Sequence, residues 1–352
     1  MSKKKSLKWL VILLIAVMLL PPLLTYIFDP FYQYHKPFFN IKASLHDRDN
    51  QVVGTIRTFD YVSVLLGSSV AENFDTTFIN NEFDCSTLKI IRASGSVADL
   101  LYYMDMAHKN QDLKQVFWCM DLFAFTSPTK VSLYDESIPR YLHTETILDD
   151  ITYLYNKDII FKEIPLSIAF SFMNINTDGN AYNWSAKKEF SAAKAMQAYQ
   201  KPQQTLPSVD ITAEKSELIS ANISMTIEEI SSHSETEYII IFPPYSLLWW
   251  DCNYTNGLTN EYFYILETLL PQLLECENAT VYYFQSEADI VCNLDYYMDM
   301  LHYSPDINQY MLEQIVSDNN VVTTDNLQDT LNNMYNTFHY ITTEGIYKYY
   351  SN

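Results

Sequence analysis

The sequence predicts an α/β protein: a parallel sheet in a doubly wound, three-layer α/β/α arrangement, preceded by one transmembrane helix. The first observation is that short β-branched or aromatic runs alternate with helical patterns between residues 61 and 317. Strands that are buried on both faces have such runs, and their alternation with helices is typical of doubly wound sheets. The second observation is a nearly unbroken apolar segment within the first 28 residues.

The order of the predicted elements follows from this alternation. The strand-like runs are residues 61–66, 88–92, 115–121, 237–242 and 280–284. The helical patterns are residues 71–83, 97–108, 146–155, 185–199, 212–232, 260–276 and 305–317. Ser96 is the predicted N-cap of the second helix, because serine favours that position.

Residues 6–28 are predicted to form a membrane-spanning signal anchor. About 20 apolar residues are enough to cross a bilayer as a helix. Lys3, Lys4, Lys5 and Lys8 precede the apolar core that begins at Trp9, and Asp29 follows the segment. Residues 1–5 are therefore predicted to be cytoplasmic and the rest of the chain extracellular. No Ala-x-Ala-like site follows the segment, which favours an uncleaved anchor over a cleaved signal peptide. Pro21 and Pro22 could kink or end the helix, so its end point stays open.

After the anchor, the sequence predicts a connector and one large domain. Residues 29–59 have no clear pattern and read as an irregular connector. Residues 60–352 are predicted to form the α/β domain, interrupted at about residues 123–207 by a helical insertion over the carboxyl edge of the sheet. An ordinary peripheral layer of helices is the alternative interpretation of that insertion.

Composition excludes some classes of function. The chain has 43 acidic and 22 basic residues, a formal net charge of −21, which argues against nucleic acid binding because phosphate contacts need clustered basic residues. Five cysteines without a Cys-x-x-Cys pair argue against a metal site, and no cofactor is expected. A disulfide among Cys252, Cys276 and Cys292 stays open for an extracellular domain.

Two short segments, far apart in the chain, contain the candidate chemistry. Gly67-Ser68-Ser69 follows the first predicted strand, and Asp299-Met300-Leu301-His302 lies near the C-terminus. A serine on a tight turn after a strand, with a late aspartate and histidine, is the layout of a nucleophile with its base and the residue that orients the base. Each segment also has a plain interpretation, as a helix cap and as a surface histidine. Together, and in this order, they favour acyl-group chemistry.

At these residues the sequence resembles the SGNH (GDSL-like) hydrolase superfamily. It is most similar to the membrane-anchored extracellular branch, which includes the D-alanine-transfer protein of teichoic acid modification and exopolysaccharide O-acetyltransferases. The resemblance covers residues 61–317 and implies a flavodoxin-like SGNH fold. It implies that Ser69 is the nucleophile, His302 the base and Asp299 its orienter, with the N–H groups of Ser69 and Gly95 as an oxyanion hole. Ser69 is expected at a helix N-terminus, where the dipole favours negative charge.

The chain departs from the superfamily after the third strand. Where the superfamily has an asparagine, this chain has Asp121. A carboxylate that faces an oxyanion is repulsive unless it is protonated. Asp121 is therefore predicted to hold the turn at Ser68 and Ser69 by accepting backbone N–H bonds, with Ser68 as a supporting residue. Trp249 and Trp250, which follow the fourth strand, could stack on a sugar or simply pack in the core.

The resemblance implies a membrane-anchored serine esterase or O-acyltransferase that acts on acyl esters of cell-envelope or exported polysaccharide. Water as the acceptor gives an esterase, and a sugar or polyol hydroxyl gives a transferase. The expected partners are an acylated glycan or envelope polymer and an integral-membrane acyl-donor protein. The alternative is a catalytically impaired SGNH-like protein that binds a glycan or a partner, which the Asp121 departure favours.

Overall fold

The structure, a computed structural model, describes residues 3–38, 41–132, 139–144, 146–201, 205–206 and 208–350. The chain divides into two compact units. The first unit comprises Met1–Asp60 and Leu133–Tyr182, and the second comprises Tyr61–Ser132 and Asn183–Asn352.

Helices outnumber strands along the described chain. The α-helices are α1 (Lys3–Phe28), α2 (Arg48–Thr58), α3 (Thr76–Glu82), α4 (Val97–Asn110), α5 (Ile147–Leu154), α6 (Ile164–Phe172), α7 (Ala192–Ala198), α8 (Ala213–Ser232), α9 (Leu247–Thr255), α10 (Thr259–Leu274), α11 (Ala288–Val291), α12 (Pro305–Val316), α13 (Leu327–Tyr340) and α14 (Tyr347–Tyr350). The strands are β1 (Ser63–Gly67), β2 (Thr87–Ile91), β3 (Gln115–Cys119), β4 (Glu237–Phe242), β5 (Ala279–Tyr283) and β6 (Val321–Val322).

The first unit contains α1, α2, α5 and α6. Within α1, Leu7–Phe28 is long and apolar enough to cross a membrane, and an 18-residue stretch of it has a mean hydropathy of 2.6, which is consistent with membrane anchoring. Pro21 and Pro22 lie inside α1, and the helix continues past them to Phe28. One buried hydrophobic cluster of this unit consists of Phe31, Leu142, Tyr153, Ile159 and Ile164.

The second unit is built on a six-stranded mixed sheet in the order β2-β1-β3-β4-β5-β6. β1 to β5 are parallel, and β6 pairs antiparallel with β5 at the edge. The side chains of β1, β3 and β4 are almost completely buried, as expected of strands covered on both faces. The α/β class and the five parallel strands are therefore confirmed. The sheet is not wholly parallel, because β6 is antiparallel, and this strand of two residues is too short to predict from sequence.

Several predicted elements differ from those observed, and local capping explains two of the differences. The predicted helix 71–83 is split into a 3-10 turn at Ser69–Ala71 and α3, because the Asp75 side chain caps α3 by accepting from Thr77 N. The predicted helix 185–199 is likewise reduced to a 3-10 turn and α7, which Ser191 caps.

The predicted connector is not irregular throughout. Residues 29–59 were expected to be irregular, but they contain α2, whose N-cap is Asp47. They share the first unit with Leu133–Tyr182, which is most of the segment that the sequence assigned to an insertion.

The end of β1 has no room for a side chain at Gly67. A Cβ atom at this position would lie 2.8 Å from the Cβ of Ala71 and 3.1 Å from the Cβ of Cys119. These distances are shorter than ordinary carbon–carbon contacts. A glycine therefore allows the turn after β1 to pack directly against β3.

We expect Gly67→Ala to destabilise the protein by about 1–3 kcal/mol, the usual cost of overpacking a close-packed site. Thermal unfolding of the full chain in detergent micelles would measure the change. Gly345→Ala is the matched control, because its Cβ would meet mainly the ring of Tyr340, a partly exposed side chain that can move. Equal shifts in the two variants would contradict a special packing constraint at Gly67.

Candidate active site

The structure brings the three predicted triad residues into one hydrogen-bonded series. Ser69 Oγ lies 2.8 Å from His302 Nε2, although 233 positions separate the two residues in the chain. His302 Nδ1 lies 2.8 Å from Asp299 Oδ2. All three residues are in the second unit. Both contacts are within the range expected for a nucleophile, its base and an orienting carboxylate.

Ser69 lies directly beyond the carboxyl end of β1. β1 is flanked by β2 on one side and β3 on the other, so the strand order changes direction here. In open α/β sheets the crevice outside the carboxyl ends at such a point is the usual ligand site. Ser69 begins a 3-10 turn of only three residues. Ser69 is therefore at the N-terminus of a 3-10 turn and not of an α-helix, since α3 begins only at Thr76.

The Asp299–His302 segment is a tight loop whose hydrogen bonds fix the imidazole. Tyr297 and Tyr303 form a β-bridge on either side of it, and Met298 N donates to His302 O at 3.0 Å. Asp299 Oδ1 accepts from the backbone N–H groups of Leu301 and His302, both at 2.8 Å. With Oδ1 thus occupied, Oδ2 is directed at His302 Nδ1.

These hydrogen bonds also keep Asp299 ionised. Burial of the carboxyl group favours its neutral form and raises its pKa. The hydrogen bond and charge of His302, together with the two backbone N–H groups, outweigh burial and hold the pKa of Asp299 below its ordinary value. An ionised carboxylate is the form that stabilises an imidazolium beside it.

The loop and the serine turn are tied together by buried side chains that the sequence analysis did not identify. Tyr303 Oη and Asn308 Nδ2 both donate to the carbonyl of Val70, each at 3.2 Å. Ser246 N and Ser246 Oγ both donate to the carbonyl of Met300, at 3.3 and 2.9 Å. The position of Ser69 relative to His302 is therefore fixed from both sides.

Trp184 is a further residue of the site that the sequence analysis missed. Its Nε1–H donates to the Ser69 carbonyl at 3.2 Å, and its ring packs edge-on against His302 with centroids 5.3 Å apart. Trp184 is half-buried. It lies directly before the helical pattern at residues 185–199, and no local signal connected it with Ser69.

Asp121 does not have the partners that the sequence predicted. Its Oδ1 accepts from Tyr245 Oη at 2.5 Å rather than from the backbone of the serine turn. Among the described residues, neither Asp121 Oδ2 nor Ser68 Oγ has a partner in hydrogen-bond geometry, although Ser68 is close enough to lower the pKa of Asp121. Burial has the larger effect and raises that pKa to about 6, against the influence of Ser68, Tyr245 and the charge of His302.

The two predicted oxyanion donors differ in their present partners. The Ser69 N–H has no acceptor among the described residues. The Gly95 N–H donates to the Arg92 carbonyl at 3.0 Å, in a turn where Ser94 has a φ of 51°. A role for Gly95 in an oxyanion hole stays a prediction, and it requires this N–H to share or release the Arg92 carbonyl.

A groove of about 500 Å³ borders the site, within the usual size range of ligand pockets. Its lining residues are Ala198, Tyr199, Gln200, Cys252, Asp299, Met300, Leu301 and His302. The groove gives a bound group access to the imidazole side of the triad.

Trp249 and Trp250 do not line an open surface. They are 4% and 0% exposed and pack against each other with ring centroids 4.8 Å apart. Of the two interpretations of these aromatic residues, the structure favours core packing.

One group of side chains outside the site has metal-ligand chemistry. Donor atoms of His108, Glu229 and His233 lie within 4.8 Å of one another. The two imidazole rings are stacked at 3.7 Å and nearly parallel, so their in-plane lone pairs run side by side rather than converging on one ion. Burial, followed by the charge of His233, lowers the pKa of His108 to about 4. The five cysteines are free thiols.

No protein-family model matches the chain, and no curated protein matches it significantly. Function therefore has to be argued from the geometry of the site.

The raised pKa of Asp121 has a measurable consequence for stability. A carboxyl group whose pKa is higher in the folded state than in the unfolded state stabilises the fold at low pH, and this contribution is lost as the pH rises through the folded pKa. We expect the unfolding free energy of the wild type, relative to Asp121→Asn, to fall by up to about 3 kcal/mol between pH 4 and pH 7. Denaturant titrations at several pH values would measure it.

The comparison has a matched control. Asp325→Asn makes the same aspartate-to-asparagine substitution at an exposed carboxylate. A wild-type minus Asp121→Asn difference that is constant between pH 4 and pH 7 would contradict the assignment of a raised pKa to Asp121.

Proposed function

We propose that the protein is a membrane-anchored serine esterase or O-acyltransferase of the SGNH type. Its proposed substrates are acyl esters of cell-envelope or exported polysaccharide. One observation carries the proposal: Ser69 Oγ, His302 and Asp299 form a continuous series of 2.8 Å contacts beside an open groove. A histidine held between a serine and an ionised carboxylate is the arrangement that activates a serine hydroxyl.

In the proposed reaction, Ser69 Oγ attacks the acyl carbonyl and its proton passes to His302 Nε2. The tetrahedral intermediate collapses when His302 returns that proton to the departing alkoxide, leaving an acyl group on Ser69. Water or a sugar hydroxyl then gives a proton to His302 and attacks the acyl-enzyme, and Ser69 regains its proton from His302. Asp299 holds Nδ1–H throughout and stabilises the imidazolium.

Further features support the assignment to this class. The strand order β2-β1-β3-β4-β5 is that of a doubly wound flavodoxin-like sheet, which the three-layer SGNH fold contains. The Ser69 N–H is available to an oxyanion, and Gly95 is the proposed second donor. A protonated Asp121 would not repel a nearby oxyanion as a carboxylate would, and burial favours the protonated form.

The proposed location follows from α1. The segment Leu7–Phe28 would cross the membrane once, and the lysines before it favour a cytoplasmic N-terminus with the second unit outside the cell. A tethered enzyme of this kind would act on polymers near the membrane surface. An integral-membrane protein that presents the acyl donor is the proposed partner.

A second candidate function is binding without efficient catalysis. The engagement of the Gly95 N–H by Arg92 O and the presence of Asp121 favour it, because an enzyme with one oxyanion donor loses much of its rate. In that case the second unit would bind a glycan or a partner protein in polymer modification.

We expect a fluorophosphonate probe to label the full-length chain in detergent micelles at Ser69. Labelling should be lost in Ser69→Ala, which has no nucleophile, and should slow by roughly 10²–10⁴-fold in His302→Ala, which has no base. Gel fluorescence and peptide mass spectrometry would measure the rate and the labelled position.

The controls remove the same side chains elsewhere. Ser234→Ala and His339→Ala change exposed residues of the same unit and should label like the wild type. A folded wild type that does not label, or that labels equally with His302→Ala, would reject the catalytic proposal and favour the binding function.

A further inference from the structure

The anchor helix contains a backbone defect that a distant side chain repairs. Proline has no N–H, so Pro22 leaves the carbonyl four residues earlier, that of Met18, without its helical hydrogen bond. Tyr155 Oη donates to the Met18 carbonyl at 2.8 Å. Within a bilayer an unpaired carbonyl is costly, and proline is tolerated in spanning helices where a neighbouring segment supplies the missing donor.

The repair is part of a larger contact between α1 and the rest of the first unit. Thr25 is fully buried, and its Oγ1 donates to the Leu154 carbonyl at 3.1 Å. Leu24 and Phe28 pack against the buried core cluster that includes Tyr153 and Ile159. The C-terminal part of α1 is thus covered by α5 and by the helical segment that follows it.

The length of α1 places this contact at membrane depth. The 22 residues of Leu7–Phe28 are about 33 Å long, which matches a hydrocarbon core of about 30 Å. The uncovered stretch from Leu7 to Leu20 is only about 21 Å long, which is too short to cross. If α1 spans the bilayer, the part that packs against α5 has to lie within it or at its boundary.

The outward surfaces of these segments are apolar in a helical pattern. Phe161, Pro165, Ala169 and Phe172 recur at helical spacing through the π turn Ile159–Glu163 and α6, and all four are exposed. The rings of Phe161 and Phe172 are 81% and 79% exposed. Such a stripe, opposite the buried face of the same segment, is unfavourable in water.

A second stripe lies on α5. Leu148, Ile151 and Tyr155 are exposed at positions i, i+3 and i+7, with Leu148 at 76%. Charged residues follow closely: Lys157, Asp158 and Lys162 are exposed. Aromatic and apolar residues next to lysines are typical of the membrane interface, where long side chains reach the headgroups.

We propose that α5 and the segment from Ile159 to Phe172 form an interfacial membrane element that binds the lipid bilayer through these two stripes. Tyr155, on the α5 stripe, contacts Met18 on the exposed apolar surface of α1, and this contact favours lipid as the occupant. The element lies in the leaflet reached by the C-terminal end of α1 and does not cross it, because its charged turn has to remain among the headgroups. Tyr155 joins the element to the anchor through the Met18 carbonyl, which Pro22 leaves without a helical donor.

A photocrosslinking experiment tests the occupant directly. The full-length chain carries p-benzoylphenylalanine at Phe161 or Phe172 and is placed in nanodiscs of phosphatidylcholine and phosphatidylglycerol. Trp9, exposed on the span, is the position that reports insertion of α1, and Tyr347, an exposed aromatic residue of the second unit, gives the background. We expect lipid adducts at Trp9, Phe161 and Phe172, several-fold above those at Tyr347.

Each other result overturns the proposal. Adducts at Trp9 with only background at Phe161 and Phe172 would show that α1 crosses the bilayer while the element stays outside it. Adducts from Phe161 or Phe172 to a second copy of the protein would identify a protein interface instead. Background at Trp9 would remove the anchor on which the proposal rests, and probe labelling of Ser69 would still test the proposed function separately.

A double-mutant cycle tests the role of Tyr155. We expect Tyr155→Phe to lower the melting temperature of the full chain in nanodiscs by a few degrees, because Met18 O loses the hydroxyl that replaces its helical donor. Pro22→Ala restores the amide to that carbonyl, so Tyr155→Phe should have little further effect in the Pro22→Ala background. Equal effects of Tyr155→Phe in both backgrounds would show that Tyr155 does not compensate for Pro22.

Discussion

The candidate site depends on one geometric constraint: parallel strands of one sheet all end at the same edge. β1, β3 and β4 are parallel neighbours, so the residues that follow them, Ser69, Asp121 and Tyr245, meet at that edge. A crevice forms there because β2 and β3 lie on opposite sides of β1, so the connections β1-to-β2 and β2-to-β3 run in opposite directions along the sheet. The loop with Asp299 and His302 follows the next parallel strand, β5. The same constraint therefore supplies the nucleophile, the base and the buried carboxyl group.

Burial at this edge requires that polar groups find partners within the protein. The three-residue turn at Ser69 has no long helix to support it, and buried donors support it instead. Tyr303 and Asn308 hold the Val70 carbonyl. Lys89, on β2, donates to the Glu72 carbonyl at 2.8 Å. Burial lowers the pKa of Lys89 to about 7, against the charges of Asp75 and Glu72. Tertiary hydrogen bonds thus position the turn in addition to its own short backbone bonds.

In the proposed membrane setting, the first unit follows the same rule, with hydrocarbon in the place of water. Water can satisfy a carbonyl that proline has deprived of its donor, but hydrocarbon cannot. The Tyr155 hydroxyl donates to the Met18 carbonyl, which Pro22 leaves without a helical donor. Thr25 adds a second hydrogen bond between the same two segments. The proposed interfacial element would keep these polar contacts within protein while its outer apolar side chains face lipid.

The sequence by itself determined the features that depend on local patterns. Buried strands, an apolar span and a serine directly after β1 have signatures within a few residues. The Asp299–His302 spacing is also local, and its hydrogen bond follows from the tight loop. Only the tertiary structure decided the partners that come from elsewhere in the chain: Tyr245 for Asp121 and Trp184 for Ser69. Side-chain pairs far apart in sequence leave no periodic signal, because they depend on the paths of irregular loops and on which buried groups still lack a hydrogen bond.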